Sequence, residues 1–216
     1  MTRQERARIL CRLLPRTYPN AHCELVYETP FELLVSTILS AQCTDKRVNL
    51  VTTELFKKCR TAPQFAEISQ EDLEKAIRST GFYRNKAKNI RGAAKKICQL
   101  HGGKVPDTLE ALAALPGVGR KTANVVLGNA FNRNEGVVVD THVMRLSKRL
   151  ELTQHSDPIK IERDLMELFP RKYWTDLSHW LIWHGRRRCT ARKPDCAGCE
   201  LQAICPSAFK DYLRKA

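Results

Sequence analysis

The sequence contains no long apolar run. A membrane-spanning helix needs about 20 consecutive apolar residues, and no stretch of this 216-residue chain approaches that length. The N-terminal residues 1–6 also lack the apolar core of a signal peptide. We therefore expect a cytoplasmic protein, associated with the nucleoid if the source is bacterial.

Repeats, low-complexity segments and long linkers rich in proline, glycine or serine are also absent. Composition therefore marks no domain boundary. A chain of 216 residues is long enough to bury a substantial core, and one or two compact domains are both compatible with this length.

Acidic side chains are scarce relative to basic ones. Asp and Glu number 23 against 37 Lys and Arg, which leaves a formal net charge of +14. Such an excess is typical of a protein that binds a polyanion, and nucleic acid is the first candidate. Net charge does not identify a partner, so a basic protein without a polyanionic ligand is the alternative.

Apolar residues recur at helical spacing through most of the chain. Examples are Phe31, Leu34, Val35 and Ile38, then Leu73 and Ile77, then Val143, Leu146 and Leu150. Helix starts are predicted at Thr29-Pro30, Ser69 and Asp157-Pro158, and helix ends at Gly81, Gly102-Gly103 and Gly185. Only residues 137–139, three consecutive valines, favour a strand, and they have no evident partner strand. The predicted fold class is all-α.

Residues 115–123 combine a glycine turn with the start of a helix. Gly117 and Gly119 accept unusual backbone conformations and place no side chain in the way of an approaching molecule. The helix N-terminus that follows offers unpaired N–H groups and the positive end of a dipole, which suit a phosphate. Lys121 lies one residue inside that helix. A plain turn between two helices is the alternative.

Both flanks of this turn are predicted to be helical. Asp107 would cap a helix that runs to Ala114, with Glu110 three residues after the cap, and residues 122–130 form an apolar helical segment. The segment therefore consists of a helix, a glycine hairpin and a second helix.

Four of the nine cysteines lie within 17 residues, namely Cys189, Cys196, Cys199 and Cys205. Disulfides are rare in cytosolic proteins, and this spacing is too compact for four independent core positions, so we expect the four to share a ligand. Four thiolates can hold zinc or a [4Fe–4S] cluster, and the spacing alone does not choose between them. The other five cysteines are predicted to pack in cores; these are Cys11, Cys23, Cys43, Cys59 and Cys98.

The helix-hairpin-helix and the C-terminal pattern Cys-x6-Cys-x2-Cys-x5-Cys resemble the endonuclease III family of DNA glycosylases. The resemblance covers nearly the whole chain. It implies a helix-hairpin-helix DNA glycosylase fold with two helical domains and a DNA-binding cleft between them. A six-helix domain would span residues 25–135, and residues 1–24 and 136–216 would form an iron–sulfur domain. It also implies a [4Fe–4S] cluster at the four cysteines, with a structural and DNA-docking role.

The same resemblance places the family's catalytic lysine at Lys121 and its catalytic aspartate at Asp140, which also looks like a helix N-cap. A neutral amine can attack the sugar carbon C1′, and Arg120 and the helix dipole are expected to disfavour the ammonium form. Lys121 would then form a Schiff base, and β-elimination would break the strand on the 3′ side. Asp140 would offset positive charge on the sugar or assist proton transfer. A solvated helix lysine is the alternative for Lys121.

Further positions match residues with which the family opens the duplex. Gln42, in the segment Ser40–Asp45, matches the glutamine that enters the helix. Phe82 occupies the second wedge position, where the family commonly has leucine, and an ordinary buried aromatic is its alternative. His142 matches a position near the cleft, or satisfies only local hydrogen bonds.

Phosphate contacts are expected from the hairpin and from the basic residues around the first cysteine loop. These residues are Gly117, Val118, Gly119 and Arg120 in the hairpin, and Arg187, Arg192 and Lys193 near the cysteines. A solvated charged surface is the alternative for the second group.

Together these features predict a bifunctional DNA glycosylase and AP lyase of base excision repair. It would act as a monomer on damaged double-stranded DNA and remove oxidised pyrimidines such as thymine glycol. One alternative is a monofunctional mismatch glycosylase, although such relatives usually lack the lysine found at Lys121. The other is a non-enzymatic iron–sulfur DNA-binding protein built on the same hairpin.

Overall fold

The computed structural model describes residues 1–210, and within that range the regular elements are all helical, as the sequence predicted. The α-helices are α1 Arg3–Thr17, α2 Pro30–Leu39, α3 Asp45–Lys58, α4 Ala62–Glu67, α5 Gln70–Ile77, α6 Tyr83–His101, α7 Leu109–Ala113, α8 Arg120–Phe131, α9 Thr141–Arg149, α10 Pro158–Leu168 and α11 Trp174–Arg187. Short 3-10 helices cover Arg78–Thr80, Arg171–Tyr173 and Gln202–Ile204. None of the helices in this range is both long and apolar enough to cross a bilayer.

Local capping rules set several helix starts. The side chains of Thr29, Ser69 and Asp157 each accept a hydrogen bond from a backbone N–H in the first turn of α2, α5 and α10. Pro30 and Pro158 occupy the first helical position, where the missing N–H costs nothing. These predicted starts are confirmed.

Cys23–Arg133 forms one compact unit, which contains α2 to α8. Its central element is α2, in which every residue from Phe31 to Leu39 is buried. Most of its buried side chains are apolar, and α2 packs against α3, α6 and α8; of its buried polar side chains, Thr37 donates to the carbonyl of Leu33 and Glu32 accepts from Arg60. The glycine hairpin between α7 and α8 belongs to this unit.

The second compact unit combines Met1–His22 with the chain from Asn134 onward. It contains α1, α9, α10 and α11, and its core includes Leu10, Leu146 and Leu181. Cys189, Cys199 and Cys205 pack at the edge of that core.

Two sequence-based boundaries are wrong. Gly185 lies inside α11 rather than at its end. A Cβ at Gly185 would lie 2.9 Å from Nδ1 of His142, so glycine is needed here because α9 approaches α11 closely. The helix before the hairpin is capped by Thr108, whose hydroxyl accepts from the N–H of Ala111, and not by Asp107, which pairs with Arg133.

The valines at 137–139 do not form a strand in the part of the chain described. They are buried in a segment without regular secondary structure, and the N–H of Val138 donates to Oγ of Ser178 at 2.9 Å. A side chain of α11 therefore supplies the backbone partner that a second strand would have provided.

Candidate active site and cysteine centre

Two buried side chains hold the turn between α7 and α8 in place. Leu115 and Val118 are 3% and 5% exposed, and the N–H of Val118 donates to the carbonyl of Leu115 at 3.1 Å. The side chain and the N–H of Val118 are therefore engaged within the turn. Gly117 has φ of +74°, and a Cβ there would lie 2.7 Å from Cβ of Asn89. Both the backbone angle and the packing against α6 exclude a larger residue.

Gly119 differs from Gly117 because nothing in the free protein demands glycine. Its φ is −90°, and a Cβ there would meet no atom within 4 Å. It occupies the N-cap position of α8 without any side chain to accept from the first turn. The caps of α1, α2, α3, α5, α7, α9 and α10 do supply such an acceptor. Open space beside an uncapped helix start allows close approach by an anion.

Lys121 lies in the first turn of α8 and is exposed to solvent. The opposite side of this helix is anchored in the core, because Ala123, Val126 and Leu127 are fully buried. A rigid helix thus carries an accessible primary amine immediately after the hairpin. Arg120, which precedes it, is also exposed.

Asp140 caps α9, as the sequence predicted. Its Oδ1 accepts from the N–H of Val143 at 2.8 Å, and the residues before it are held by the bond from Val138 to Ser178. The carboxylate is only partly buried. One oxygen therefore fixes the position of the group, and a carboxylate has a second oxygen for other work.

His142 lies at the start of α9, where α11 approaches. Its Nδ1 is 3.2 Å from Nη2 of Arg145, which also donates to the carbonyls of Gly185 and Cys189 at 2.9 and 3.0 Å. Burial lowers the pKa of His142, Asp140 opposes that shift, and Arg145 adds to it. Burial thus disfavours the protonated ring, which packs against Gly185 of α11.

The four clustered cysteines line one small cavity of about 30 Å³. None of the four forms a disulfide, and the apolar side chains of Leu146, Leu150 and Leu201 contribute to the walls. Burial raises the pKa of Cys199 to about 11 and also raises the pKa of Cys205. Buried thiols with a raised pKa are inert unless a metal displaces the proton. Four cysteines that line one cavity are a suitable donor set for a metal cofactor.

Hydrogen-bond donors surround these sulfurs, as is usual around metal ligands. Nη1 of Arg149 lies 3.1 Å from Sγ of Cys189, and the N–H of Leu201 lies 3.4 Å from Sγ of Cys199. Nε2 of His184 is 3.6 Å from the same Cys199 sulfur. Positive charge and N–H groups directed at sulfur favour the thiolate state that a metal requires.

An ion-pair network stabilises the first cysteine loop, which runs from Cys189 to Cys196. Arg188 contacts Asp195 at 2.6 Å and Glu200 at 3.0 Å, and Asp195 also accepts from the N–H of Gly198. Arg192 and Lys193 are exposed on this loop. Arg187 is exposed as well and lies over the Trp183 ring, 3.5 Å from its centroid. The loop therefore presents basic side chains on a well-supported backbone.

Gln42 and Phe82 lie at the tips of two exposed turns in the Cys23–Arg133 unit. Both are non-glycine residues in the left-handed region, with φ of +53° and +47°. Such a conformation costs of order 1–3 kcal/mol and persists only where the surroundings impose it. Phe82 is 65% exposed, so the buried-aromatic alternative is wrong.

Comparison with known proteins shows which proteins this chain is similar to. The family model for HhH-GPD superfamily base excision DNA repair proteins matches residues 35–171. Endonuclease III from Synechocystis sp. is 54% identical over 207 residues, which are 96% of this chain and 94% of the relative. Endonuclease III from Bacillus subtilis is 47% identical over 194 residues, which are 89% of this chain and 88% of the relative.

A solved structure of an endonuclease III also matches this chain. It is a trapped endonuclease III–DNA covalent intermediate in an estranged-adenine complex, with a TM-score of 0.92 and 43% identity over 98% of this chain and 99% of that chain. This chain belongs to the endonuclease III family. The all-α class and the family predicted from the sequence are therefore confirmed.

The predicted site residues of this endonuclease III homologue fall into two groups. One compact unit holds Gln42, Phe82, the hairpin residues 117–120 and Lys121. The other holds Asp140, His142, the four cysteines and the basic residues Arg187, Arg192 and Lys193. Within each group the residues lie on elements that share one core.

Sequence reasoning missed several polar residues that support these groups. Arg145, Arg149 and His184 form the hydrogen bonds around His142 and the cysteines, and Lys86 is buried beneath the Gln42 and Phe82 turns. For Arg145 and Arg149, the one available signal in the sequence was their i and i+4 spacing on α9, just after Asp140. Neither His184 nor Lys86 belongs to a motif.

Proposed function

We propose that this protein is a DNA glycosylase with AP lyase activity that removes oxidised pyrimidines, such as thymine glycol, from duplex DNA. One observation carries the proposal. An exposed lysine follows a glycine hairpin at a helix start, in a chain 43% identical over 98% of its length to an endonuclease III that was trapped covalently on DNA. A covalent intermediate requires a nucleophile, and Lys121 is the residue at the family's lysine position.

Lys121 would act with its neutral amine. Nζ attacks C1′ of the damaged nucleotide, the bond between C1′ and the base breaks, and the base leaves with a proton. One proton of the amine goes to the departing base and the other to the ring oxygen O4′ as the sugar ring opens, which gives an imine between Nζ and C1′. Water then takes a C2′ proton, a double bond forms between C2′ and C3′, and the 3′ phosphate leaves with the electron pair of the C3′–O bond. Water hydrolyses the imine and restores the lysine.

Asp140 would stabilise positive charge that develops on the sugar as the base departs. Two features support that role. Oδ1 accepts from the N–H of Val143, which fixes the position of the carboxylate, and the second oxygen remains available to face the sugar. A carboxylate held in this way needs no reorganisation when charge appears nearby. Proton transfer through the second oxygen is compatible with the same placement.

The four cysteines would hold a [4Fe–4S] cluster. The donor set fits, since all four line one cavity and N–H donors from Arg149 and Leu201 point at their sulfurs. When bound, the cluster would link four points of the segment 189–205 to one another and thereby support its shape. Cys189, Cys196, Cys199 and Cys205 are the residues that would hold it.

DNA docking would use backbone and basic groups. Phosphates would approach the open start of α8 at Gly119 and the exposed Arg187, Arg192 and Lys193. Gln42 and Phe82 would enter the duplex and occupy the space that the extruded base leaves. We propose a monomer acting on damaged double-stranded DNA, because each proposed contact comes from a single chain.

A duplex with one thymine glycol tests this function. Gel analysis with and without hot alkali separates base release from strand cleavage. We expect the wild-type protein to perform both, and Lys121→Gln to lose strand cleavage. Lys75→Gln is the matched control, because Lys75 is also an exposed helix lysine and pairs only with Glu71 at 2.9 Å among the ion pairs described; it should cleave normally. Base release by the wild type without cleavage would favour the monofunctional alternative.

A further inference from the structure

Lys86 is a buried lysine in the first turn of α6. The residue is only 5% exposed, and its Nζ donates to the carbonyl of Leu39 at 2.9 Å and to the carbonyl of Thr80 at 2.8 Å. Lysine is almost never buried unless its charge is matched. Two main-chain acceptors, one 47 residues and one 6 residues away along the chain, therefore match this ammonium group.

Both acceptors lie at helix ends. Leu39 is the last residue of α2, and Thr80 is the last residue of the Arg78–Thr80 3-10 helix. Carbonyls at a helix C-terminus lack intrahelical partners and carry the negative end of the dipole. Burial lowers the pKa of Lys86, while Cys43, the other titratable group that faces it, opposes the shift. One cation thus caps two helices.

The capped ends lead directly into the two exposed turns. Gln42 follows Leu39 by three residues and Phe82 follows Thr80 by two. Each adopts a positive φ that a non-glycine residue avoids, and such a conformation persists only where the surrounding structure imposes it. The hydroxyl of Thr80 is itself tied to the carbonyl of Ile77 at 2.8 Å. The backbone before each turn must therefore be held firmly, and Lys86 contacts it in both cases.

We propose that Lys86 is a positioning residue that fixes the Gln42 and Phe82 turns relative to each other, so that both side chains enter the duplex together. This inference rests on the proposed function, because it concerns the opening of DNA by a glycosylase. Lys86 does not touch DNA in this account. It acts through two carbonyls that must lie within reach of one nitrogen atom, and displacement of one turn therefore disturbs the other.

Lys86→Met tests the proposal, because it keeps the length of the side chain and removes the three N–H donors. Single-turnover rates are measured on a thymine glycol duplex, which must be opened, and on a preformed abasic duplex, which needs less unstacking. We expect base excision to slow about tenfold relative to abasic-site cleavage, the rate equivalent of one lost hydrogen bond to a charged group. Equal slowing on both substrates would overturn the proposal.

Ile97→Ala is the stability control. Ile97 lies on the same helix and is fully buried, so its truncation destabilises the unit without affecting either turn. It should lower Tm and leave the ratio of the two rates unchanged. If Ile97→Ala changes that ratio as much as Lys86→Met does, the effect reflects stability alone and the proposal is wrong. Lys86→Gln retains an amide donor and serves where Lys86→Met yields too little folded protein.

A double-mutant cycle tests whether Lys86 acts through the turns. In a Gln42→Ala, Phe82→Ala background there are no wedge side chains left to position, so adding Lys86→Met should leave the rate ratio almost unchanged. A further tenfold loss in that background would show that Lys86 acts elsewhere and would overturn the proposal. Failure of the wild-type protein to process either duplex would instead refute the proposed function.

Discussion

Gly117→Ala should destabilise the protein strongly, for two reasons visible at this position. The residue has φ of +74°, and the left-handed region costs an alanine about 1–2 kcal/mol. The new Cβ would also lie 2.7 Å from Cβ of Asn89, and relief of such crowding in a packed region costs about 1–3 kcal/mol. A combined loss of about 3 kcal/mol corresponds to a Tm decrease of about 6–12 °C for a chain of this size.

Gly119→Ala is the matched control in the same hairpin. Its φ of −90° is accessible to alanine, and no atom lies within 4 Å of the added Cβ. Thermal unfolding followed by circular dichroism should give a Tm close to that of the wild type, because the gain of about 0.4–1 kcal/mol from a less flexible unfolded chain is offset by the poorer capping of α8 by alanine. A Gly117→Ala protein that melts with the wild type would refute the assigned roles of the backbone angle and the Asn89 contact.

Three further perturbations separate stability, docking and chemistry. Gly119→Leu should lower the Tm by only a few degrees, because leucine is a poorer N-cap than glycine, but it should weaken binding to an abasic duplex and reduce the slope of log K against log salt by about one phosphate contact; unchanged binding would make the hairpin only a turn. Asp140→Asn should retain the helix cap and lose less than about 1 kcal/mol of stability while base excision slows about 100-fold or more, and a rate near wild type would remove Asp140 from the chemistry. The purified wild-type protein should be yellow-brown with about four irons per chain, and Cys196→Ser should lose iron and soluble yield together; bound zinc without iron would contradict the cluster assignment.

The features that sequence predicted correctly depend on residues close together in the chain. The caps at Thr29, Ser69 and Asp140 need only a side-chain oxygen and a backbone N–H three residues later. Helical periodicity is equally local, and it identified the all-α class without any knowledge of packing.

The features that sequence missed are properties of packing. Gly185 resembles a helix end in the sequence, and its need for glycine arises from His142, which lies on another helix. The role of Lys86 depends on two carbonyls 47 and 6 residues away along the chain. The hydrogen-bond partner of the Val138 N–H is the side chain of Ser178 on α11. No local pattern encodes contacts of this kind.

The central claim is that the Nζ atom of Lys121 forms an imine with the opened sugar. Sodium borohydride added while the protein reacts with a thymine glycol duplex reduces that imine to a stable amine, and peptide mapping by mass spectrometry locates the attached nucleotide. We expect one covalent adduct, located on Lys121, and none from Lys121→Gln, although that variant still binds the duplex. A normal yield of adduct from Lys121→Gln, or an adduct mapped to a different amine, would contradict it.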